Sequence, residues 1–233
     1  MKTNHQKNPF LQGNYAPVQD ELNVENLEIE GEIPQDISGV YMRNGPNPAY
    51  EPISYTYPFD GDGMIHAVYL EEGKAHYRNR FVETRGLQVE RQAGHAVYGG
   101  IFNPIMPDPA LIGTNGEPGP FKTGAMIHVI RHANKYLALH EAAPGYEITK
   151  SLETIGEWQI NNQALPVNAH TRYDPVSGEL FLITYDIEPP FLSYYRLDKK
   201  GDLIEKGDID KEYSTMMHDF ILTENYIIYF DLI

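Results

Sequence analysis

Short runs of alternating apolar and polar residues follow one another along the chain from Met64 onward. The runs come in pairs, and each pair is joined by residues typical of tight turns. This period-two pattern predicts β-hairpins, because successive side chains of a strand point to opposite faces of the sheet. The 17 prolines and 20 glycines leave few stretches long enough for a helix, so the sequence predicts an all-β protein. The predicted hairpins span Met64–Val82, Met126–Glu141, Ala169–Ile187, Phe191–Gly207 and Met217–Leu232.

Three of the predicted turns recur at a similar interval. Their centres lie near Ala133, Val176 and Glu224, which are 43 and 48 residues apart. An interval of about 40–50 residues that contains about four short strands is typical of the blades of a β-propeller. A β-sandwich is the alternative, but sandwiches do not ordinarily repeat at this interval. We therefore predict a propeller.

The chain shows no linker or block of charge that would divide it, so we predict one domain over residues 1–233. The polar, proline-punctuated start, residues 1–30, is expected to be an arm laid over the fold. The stretch Gly99–Pro120 is irregular and carries apolar residues, for which two interpretations are open. They form either an apolar lip at a tunnel mouth, in weak contact with a membrane surface, or a loop tucked into the fold. These residues are Ile101, Phe102, Ile105, Met106 and Leu111.

Composition narrows the classes of function. With 18 basic and 33 acidic side chains the net charge is −15, which disfavours a nucleic-acid partner because little here would neutralise phosphates. The chain has no cysteine, so a metal ion would have to be held by His, Asp or Glu. Met1–Phe10 has no apolar signal-peptide core, and no run reaches the roughly 18 apolar residues of a membrane helix. We therefore expect a cytoplasmic protein.

Three histidines occupy equivalent positions in the repeat. His128, His170 and His218 precede their turn centres by 5, 6 and 6 residues. In a propeller the first strand of each blade lines the central channel, so equivalent positions converge on one axis. Converging neutral imidazoles suit Fe, Zn, Cu or Ni, and the spacing does not choose among these metals. For any single histidine the alternative is a strand residue bonded to a backbone carbonyl.

The alternation also predicts what surrounds these imidazoles. It places Met216 and Phe220 on the face of His218, and Met126 on the face of His128. We therefore expect imidazoles among apolar neighbours, where each must be hydrogen-bonded, neutral or metal-bound.

Two acidic features leave alternatives open. Glu141 closes the strand after the first turn, and it is a metal ligand beside two histidines, an acceptor for an imidazole N–H, or a solvated charge. The segment Asp60–Gly63, DGDG, is either a calcium site or a tight glycine turn that feeds a strand. The absence of the EF-hand spacing favours the turn.

Six motifs, in order over nearly the whole chain, resemble the carotenoid cleavage oxygenases, a family that includes apocarotenoid and lignostilbene-type dioxygenases. The resemblance implies a seven-bladed β-propeller that holds Fe(II) through four histidines, without haem or flavin. The motifs are GVYMRNGPNP (39–48), FDGDGMIHAV (59–68), YRNRFVET (77–84), LALHEAAPGYEI (137–148), NAHTRYDPVSGEL (168–180) and MHDFILTENYIIYFDL (217–232).

The resemblance also assigns roles at matching positions. It implies that His170 and His218 bind the iron and that Glu141 accepts a hydrogen bond from an iron-bound imidazole; His128 matches no ligand of the family. The implied reaction adds O₂ across a conjugated C=C bond of a small apolar carotenoid, apocarotenoid or stilbene and gives two carbonyl products.

Members of this family are roughly twice as long as this chain. We therefore expect the N-terminal half of the propeller, about half of its blades, with the other two histidine ligands beyond Ile233. The sequence stops within an apolar strand, YIIYFDLI, which suggests a fragment, a truncated product or a remainder supplied by another chain. The alternative function is thus a truncated, catalytically inactive propeller fragment.

Overall fold

A computed structural model describes residues 8–55 and 57–231 of the chain. The described residues form two compact units. The first runs up to Met126 and includes Lys150–Thr154, and the second comprises Ile127–Thr149 and the chain from Ile155 onward.

The first unit is built on one antiparallel sheet of four strands in the order β1-β4-β3-β2. The β3–β4 hairpin reverses at Glu72 and Gly73, whose φ angles are 49° and 72°. Two successive positive φ values match the right-handed twist of the paired strands, so this pair makes a tight hairpin turn. The first predicted hairpin is confirmed. The strands are β1 (Asn23–Val24), β2 (Gly39–Asn47), β3 (Asp62–Glu71) and β4 (Lys74–Phe81).

The start of the chain runs along this sheet. Within the predicted arm of residues 1–30, residues 1–7 lie outside the described part. The strand β1 pairs with β4, and the backbone N–H of Leu22 donates to Asn79 Oδ1 at 2.6 Å. Glu21 accepts a hydrogen bond from the backbone N–H of Phe81 at 2.8 Å. Side chains of the sheet and of the arm therefore satisfy each other's backbone groups.

The predicted fold lacks a helix that the structure contains, α1 (Arg85–Ala93). The side chain of Thr84 caps its first turn by accepting from the N–H of Leu87, and Gly94 ends it at a φ of 73°. These are ordinary start and stop signals, and a prediction based on the number of prolines and glycines in the whole chain overlooked the nine helical residues. Leu87, fully buried, packs against Met64 and Phe81 of the sheet.

The irregular stretch 99–120 contains one short helix, α2 (Pro109–Ile112). Of the five apolar residues named above, four are exposed, with Phe102 at 72% and Met106 at 66%. The interpretation that these side chains tuck into the fold is therefore wrong for most of them. The other two exposed residues are Ile101 and Leu111.

A buried ion cluster joins the sheet to α1. The Nζ atom of Lys122 lies 2.6 Å from Asp62 Oδ1 and also bonds Glu90. Burial favours the neutral amine, but the two carboxylates outweigh it and raise the pKa of Lys122. Asp62 also accepts from the N–H of Ala49, and Asp60 accepts from that of Ile101. Both carboxylates of the DGDG segment are thus engaged with the protein, which supports the turn and not the calcium site.

The second unit contains three antiparallel sheets, with orders β5-β6-β8-β9, β14-β13-β12-β10-β7 and β15-β16; β11 also pairs with β12. Their buried side chains, among them Leu139, Trp158, Leu182 and Leu197, form the core of this unit. The strands are β5 (His128–His132), β6 (Lys135–Leu139), β7 (Ala143–Pro144), β8 (Tyr146–Ile148), β9 (Thr154–Glu157), β10 (Pro166–Val167), β11 (Arg172–Tyr173), β12 (Leu180–Tyr185), β13 (Leu192–Leu197), β14 (Leu203–Asp208), β15 (Phe220–Leu222) and β16 (Ile227–Tyr229).

The four predicted hairpins of this unit are confirmed by the pairs β5–β6, β11–β12, β13–β14 and β15–β16. The β5–β6 turn is made by Ala133 and Asn134, with φ angles of 49° and 62°. With sheets in both units and two helices of nine and four residues, the all-β prediction holds.

The ion cluster generates a stability prediction. Replacing Lys122 by Met leaves Asp62 and Glu90 buried without their cation, which should lower the unfolding free energy by about 3–5 kcal/mol in urea denaturation. Lys74→Met, at an exposed position of β4, is the control and should change it by less than about 0.5 kcal/mol. A loss below about 1 kcal/mol in Lys122→Met would show that the cluster does not stabilise this unit.

Candidate metal centre

Two imidazoles of the second unit meet outside regular secondary structure. His170 lies in the loop between β10 and β11, and His218 lies two residues before β15. Their Nε2 atoms are 3.1 Å apart. The ring centroids are 4.5 Å apart and the ring planes are inclined at 77°. Two bare nitrogen lone pairs repel at this distance, so the pair must share either a proton or a cation.

The loop that carries His170 is fixed by a buried asparagine. The backbone N–H of Asn168 donates to the carbonyl of Ile183 in β12 at 2.9 Å, and its Oδ1 accepts from the N–H of Ile183 at 3.2 Å. Its Nδ2 donates to the carbonyl of His170 at 2.7 Å. Asn168 therefore replaces strand pairing where the chain leaves the sheet, and it sets the backbone of His170.

A carboxylate sets the tautomer of His218. Its Nδ1 donates a hydrogen bond of 2.9 Å to Oε2 of Glu141, a residue that lies just after the end of β6. The proton of the neutral ring therefore sits on Nδ1, which leaves the Nε2 lone pair free and aimed at His170. Glu141 acts on the imidazole from the side away from His170, which supports the role of acceptor among the three alternatives.

The carboxylate of Glu141 is in turn held by Tyr185 of β12. The hydroxyl of Tyr185 donates to Glu141 Oε1 at 2.7 Å. Burial raises the pKa of the Glu141 carboxyl, while the bonds from Tyr185 and His218 act in the opposite direction. Burial together with the Glu141 bond raises the pKa of the Tyr185 hydroxyl, so this group stays a donor at neutral pH.

The surroundings of the second imidazole, His170, disfavour its charged form. Burial, with the neighbouring His218 ring next in importance, lowers the pKa of His170. Neutral imidazole is the form that binds metal ions, so the surroundings of His170 favour the ligand state over the imidazolium.

His128 lies near the pair without joining it. Its ring centroid is 6.3 Å from that of His170, and its Nδ1 donates to the carbonyl of Ala169 at 3.2 Å. Among the residues that the structure describes, no group of three or more His, Asp or Glu side chains is placed to hold a metal ion. Of the three histidines at equivalent positions in the repeat, the structure brings His170 and His218 together. His128 is hydrogen-bonded to the carbonyl of Ala169 instead.

The predicted apolar surroundings are wrong for His218. Its side chain is 50% exposed, and Met216 is 67% exposed. The alternation failed because residues 209–219 form no strand, so the period-two rule does not apply before β15 begins at Phe220.

Sequence reasoning also missed two residues of the site, Asn168 and Tyr185. Asn168 lies inside the quoted motif NAHTRYDP, two residues before His170, so its position was a usable sign. Tyr185 is 44 residues from Glu141, and the hydrogen bond that joins them has no local pattern in the sequence.

The paired imidazoles fit a metal ion. Two nitrogen ligands at about 2.1 Å and at right angles on one ion stand about 3.0 Å apart, close to the Nε2 separation of 3.1 Å. Donors made only of imidazole suit Fe, Zn, Cu and Ni rather than Mg or Ca. The carboxylate on the far nitrogen of His218 is the usual partner of a metal-bound histidine. Fold and site thus define an antiparallel β-sheet protein with a histidine pair suited to a transition metal.

Comparisons with known proteins identify the family. A family model described as retinal pigment epithelial membrane protein, RPE65, matches residues 15–232. Carotenoid 9,10(9',10')-cleavage dioxygenase 1 of Arabidopsis thaliana is 34% identical over 238 residues, which cover 96% of this chain and 44% of the plant protein. The chain therefore belongs to the RPE65 or carotenoid cleavage oxygenase family, as its motifs predicted.

Solved structures agree with this assignment. Pseudomonas brassicacearum lignostilbene dioxygenase matches with a TM-score of 0.84 and 32% identity, over 96% of this chain and 47% of that one. A cobalt-substituted Synechocystis apocarotenoid oxygenase matches with a TM-score of 0.74 and 27% identity, over 91% and 47%. The match to these oxygenases confirms the prediction of a partial β-propeller.

The chain spans about half the length of the relatives it matches. Within residues 8–55 and 57–231, neither helix is long and apolar enough to cross a membrane.

His140, next to Glu141, generates a pH prediction. Its Nδ1 is buried and has no hydrogen-bond partner among the described residues, and burial lowers the pKa of the ring to about 4. Because the unfolded chain takes up this proton near pH 6.5, stability should fall as the pH drops from about 6.5 to about 4. Between pH 7.5 and 4.5 this one group should account for about 2–3 kcal/mol of the loss.

The measurement is the unfolding free energy of His140→Leu and of the unchanged chain at both pH values. The variant should lose less stability on acidification by that amount. His95→Gln removes an exposed histidine and should leave the pH dependence unchanged. An identical pH dependence in His140→Leu and in the unchanged chain would refute a buried neutral imidazole at this position.

Proposed function

We propose that this chain contributes to a non-haem Fe(II) dioxygenase that cleaves a conjugated C=C bond of a carotenoid, apocarotenoid or stilbene. The observation that carries the proposal is the convergence of His170 Nε2 and His218 Nε2 at 3.1 Å, with Glu141 on the opposite nitrogen of His218. His170 and His218 would bind the iron, and Glu141 would orient His218 without touching the metal.

The names of the relatives support the class of substrate. They include a carotenoid 9,10(9',10')-cleavage dioxygenase and a lignostilbene dioxygenase, whose names give a carotenoid and a lignostilbene as substrates. The cobalt-substituted relative supports a replaceable divalent metal. We extend these properties to this chain because the match covers 96% of it in both cases.

The reaction needs no external electron donor. The substrate C=C bond and the O–O bond break, each carbon receives one oxygen atom, and two carbonyl products form. Ferrous iron, when bound, supplies the position at which O₂ is activated beside the double bond. No side chain has to act as a nucleophile, which is consistent with the lack of a G-x-S-x-G or other nucleophile motif in the sequence.

The protein's own contribution is to orient neutral ligands. Glu141 keeps a proton on Nδ1 of His218, so that its Nε2 stays an acceptor. Tyr185 holds Glu141 from the other side, and Asn168 holds the backbone of His170. Each contact restrains the side chain or the backbone of a metal-binding residue before a metal ion binds. Metal affinity depends on such preorganisation.

A second candidate follows from the number of ligands. The resemblance implies four histidines, while the described residues bring two together. This count favours the alternative that the chain taken alone is a catalytically inactive propeller fragment, a single incomplete domain over residues 1–233 that needs further ligands. Metal binding and turnover separate the two proposals.

The surface of the first unit carries exposed apolar residues. Ile101, Phe102, Met106 and Leu111 expose apolar area on one irregular stretch. Such area supports a weak contact with a membrane surface, where carotenoids partition. We propose O₂ and a small apolar molecule as the partners of this protein, no nucleic acid, and a cytoplasmic location.

The metal proposal predicts the outcome of anaerobic Fe(II) and Co(II) titrations of the 233-residue chain. One ion per chain should bind, and His170→Ala or His218→Ala should abolish detectable binding, because one imidazole cannot hold the ion alone. Glu141→Gln should weaken binding by about 10-fold. The control, His95→Ala, should bind like the unchanged chain. Stoichiometric metal in either ligand variant would refute the ligand assignment.

The activity proposal predicts the products of a lignostilbene-type substrate and of an apocarotenoid incubated with iron-loaded chain under ¹⁸O₂. Cleavage should give two aldehydes, each with one ¹⁸O atom, read by mass spectrometry soon after mixing. Loss of both products in His218→Ala would tie them to the metal site. Bound iron without any aldehyde would favour the inactive-fragment alternative over the enzyme.

A further inference from the structure

The segment that carries His218 has little backbone support of its own. Residues 209–219 form neither strand nor helix. Two buried side chains, Met217 and Phe220, anchor this segment in the core of the second unit. They lie on either side of His218 and are buried. They therefore hold this segment against the core, but they do not set its distance from the loop that carries His170.

An ion pair links the two segments that carry the histidines. Arg172 Nη2 lies 2.5 Å from Asp219 Oδ1. Arg172 follows His170 by two residues, and Asp219 follows His218 directly. A single charged hydrogen bond therefore spans the two backbones within two residues of both imidazoles.

Both partners of this pair are held by further contacts. The guanidinium carbon of Arg172 lies 5.5 Å from the ring centroid of Phe220, and its Nη1 donates to the carbonyl of Thr171 at 3.1 Å. Asp219 Oδ1 also accepts from the N–H of Phe220 at 2.7 Å. Fixed in this way, the two side chains act as a short connection rather than as a mobile surface pair.

We propose that Arg172 and Asp219 are positioning residues that hold the backbones of His170 and His218 at the separation at which their Nε2 atoms converge. The inference deepens the proposed metal centre and, for its effect on metal binding, rests on it. The two side chains touch neither metal nor substrate. They act through the imidazoles beside them.

The energetics distinguish positioning from a general structural role. The side chains of Arg172 and Asp219 are 33% and 44% exposed, and ion pairs this accessible usually contribute about 0–1 kcal/mol to stability. Ligand geometry is far more sensitive, because a displacement of about 1 Å is enough to spoil a preorganised site. Loss of the pair should therefore increase the distance between the two imidazoles measurably. The unfolding free energy should change little.

The first test uses the metal-free chain. In NMR spectra of the histidine ring protons, the unchanged chain should show a cross-relaxation peak between His170 and His218. Arg172→Gln and Asp219→Asn should each weaken this peak at least 2-fold while the thermal midpoint changes little. The control is Arg196→Gln, which breaks another exposed ion pair of the second unit, at 3.3 Å from Glu205, and should leave the peak intact.

The second test is cobalt affinity. Each single variant should bind Co(II) about 10-fold more weakly and with an altered absorption spectrum. The double exchange Arg172→Asp with Asp219→Arg, which restores opposite charges, should recover part of the loss.

The outcomes separate the inference from the function on which it rests. A cross-relaxation peak of wild-type intensity in both single variants would overturn the positioning role, whatever the metal does. If the peak is lost in the variants, the positioning role is supported. If the unchanged chain also binds no metal, the metal centre is refuted independently of that role. Asp219→Asn keeps the shape of the side chain, so it answers the question if Arg172→Gln does not fold.

Discussion

The structure of the site depends on one electrostatic constraint, which is that two imidazole Nε2 atoms face each other at 3.1 Å. Without a shared proton or cation, this arrangement is repulsive. The protein maintains it by fixing the opposite side of His218, where Glu141 accepts the Nδ1 proton, and by an environment that disfavours the imidazolium form of His170. The arrangement is suited to a metal cation.

The residues of the site lie just beyond the ends of strands, so the sheets determine where these residues are placed. Glu141 follows β6, His170 lies between β10 and β11, and His218 precedes β15. Short strands and early exits from the sheet place polar side chains at these edges, where backbone groups need partners. Asn168 and Tyr185 then connect the exits to the regular strand β12. Two hydrogen bonds in sequence thus connect β12 to each of the two histidines.

The sequence was sufficient for the hairpins, because alternation and turn residues are local and the antiparallel pairs follow from them. The number of prolines and glycines in the whole chain was misleading for α1, although its capping residues Thr84 and Gly94 are ordinary helix signals. The sequence pattern also misplaced His218, since the alternation was extended into residues that form no strand. The role of Glu141 was left open by spacing and was indicated only by resemblance to a family. The hydrogen bond from Tyr185 joins residues far apart in sequence, and no local pattern reports it.

The central claim is that the two histidines share one ion, and anomalous X-ray scattering from cobalt-loaded crystals of the 233-residue chain tests it most directly. The account predicts one anomalous peak about 2.1 Å from both His170 Nε2 and His218 Nε2, with Glu141 still bonded to the far nitrogen of His218. Cobalt bound at another place, or imidazoles that turn apart when the metal is present, would contradict it.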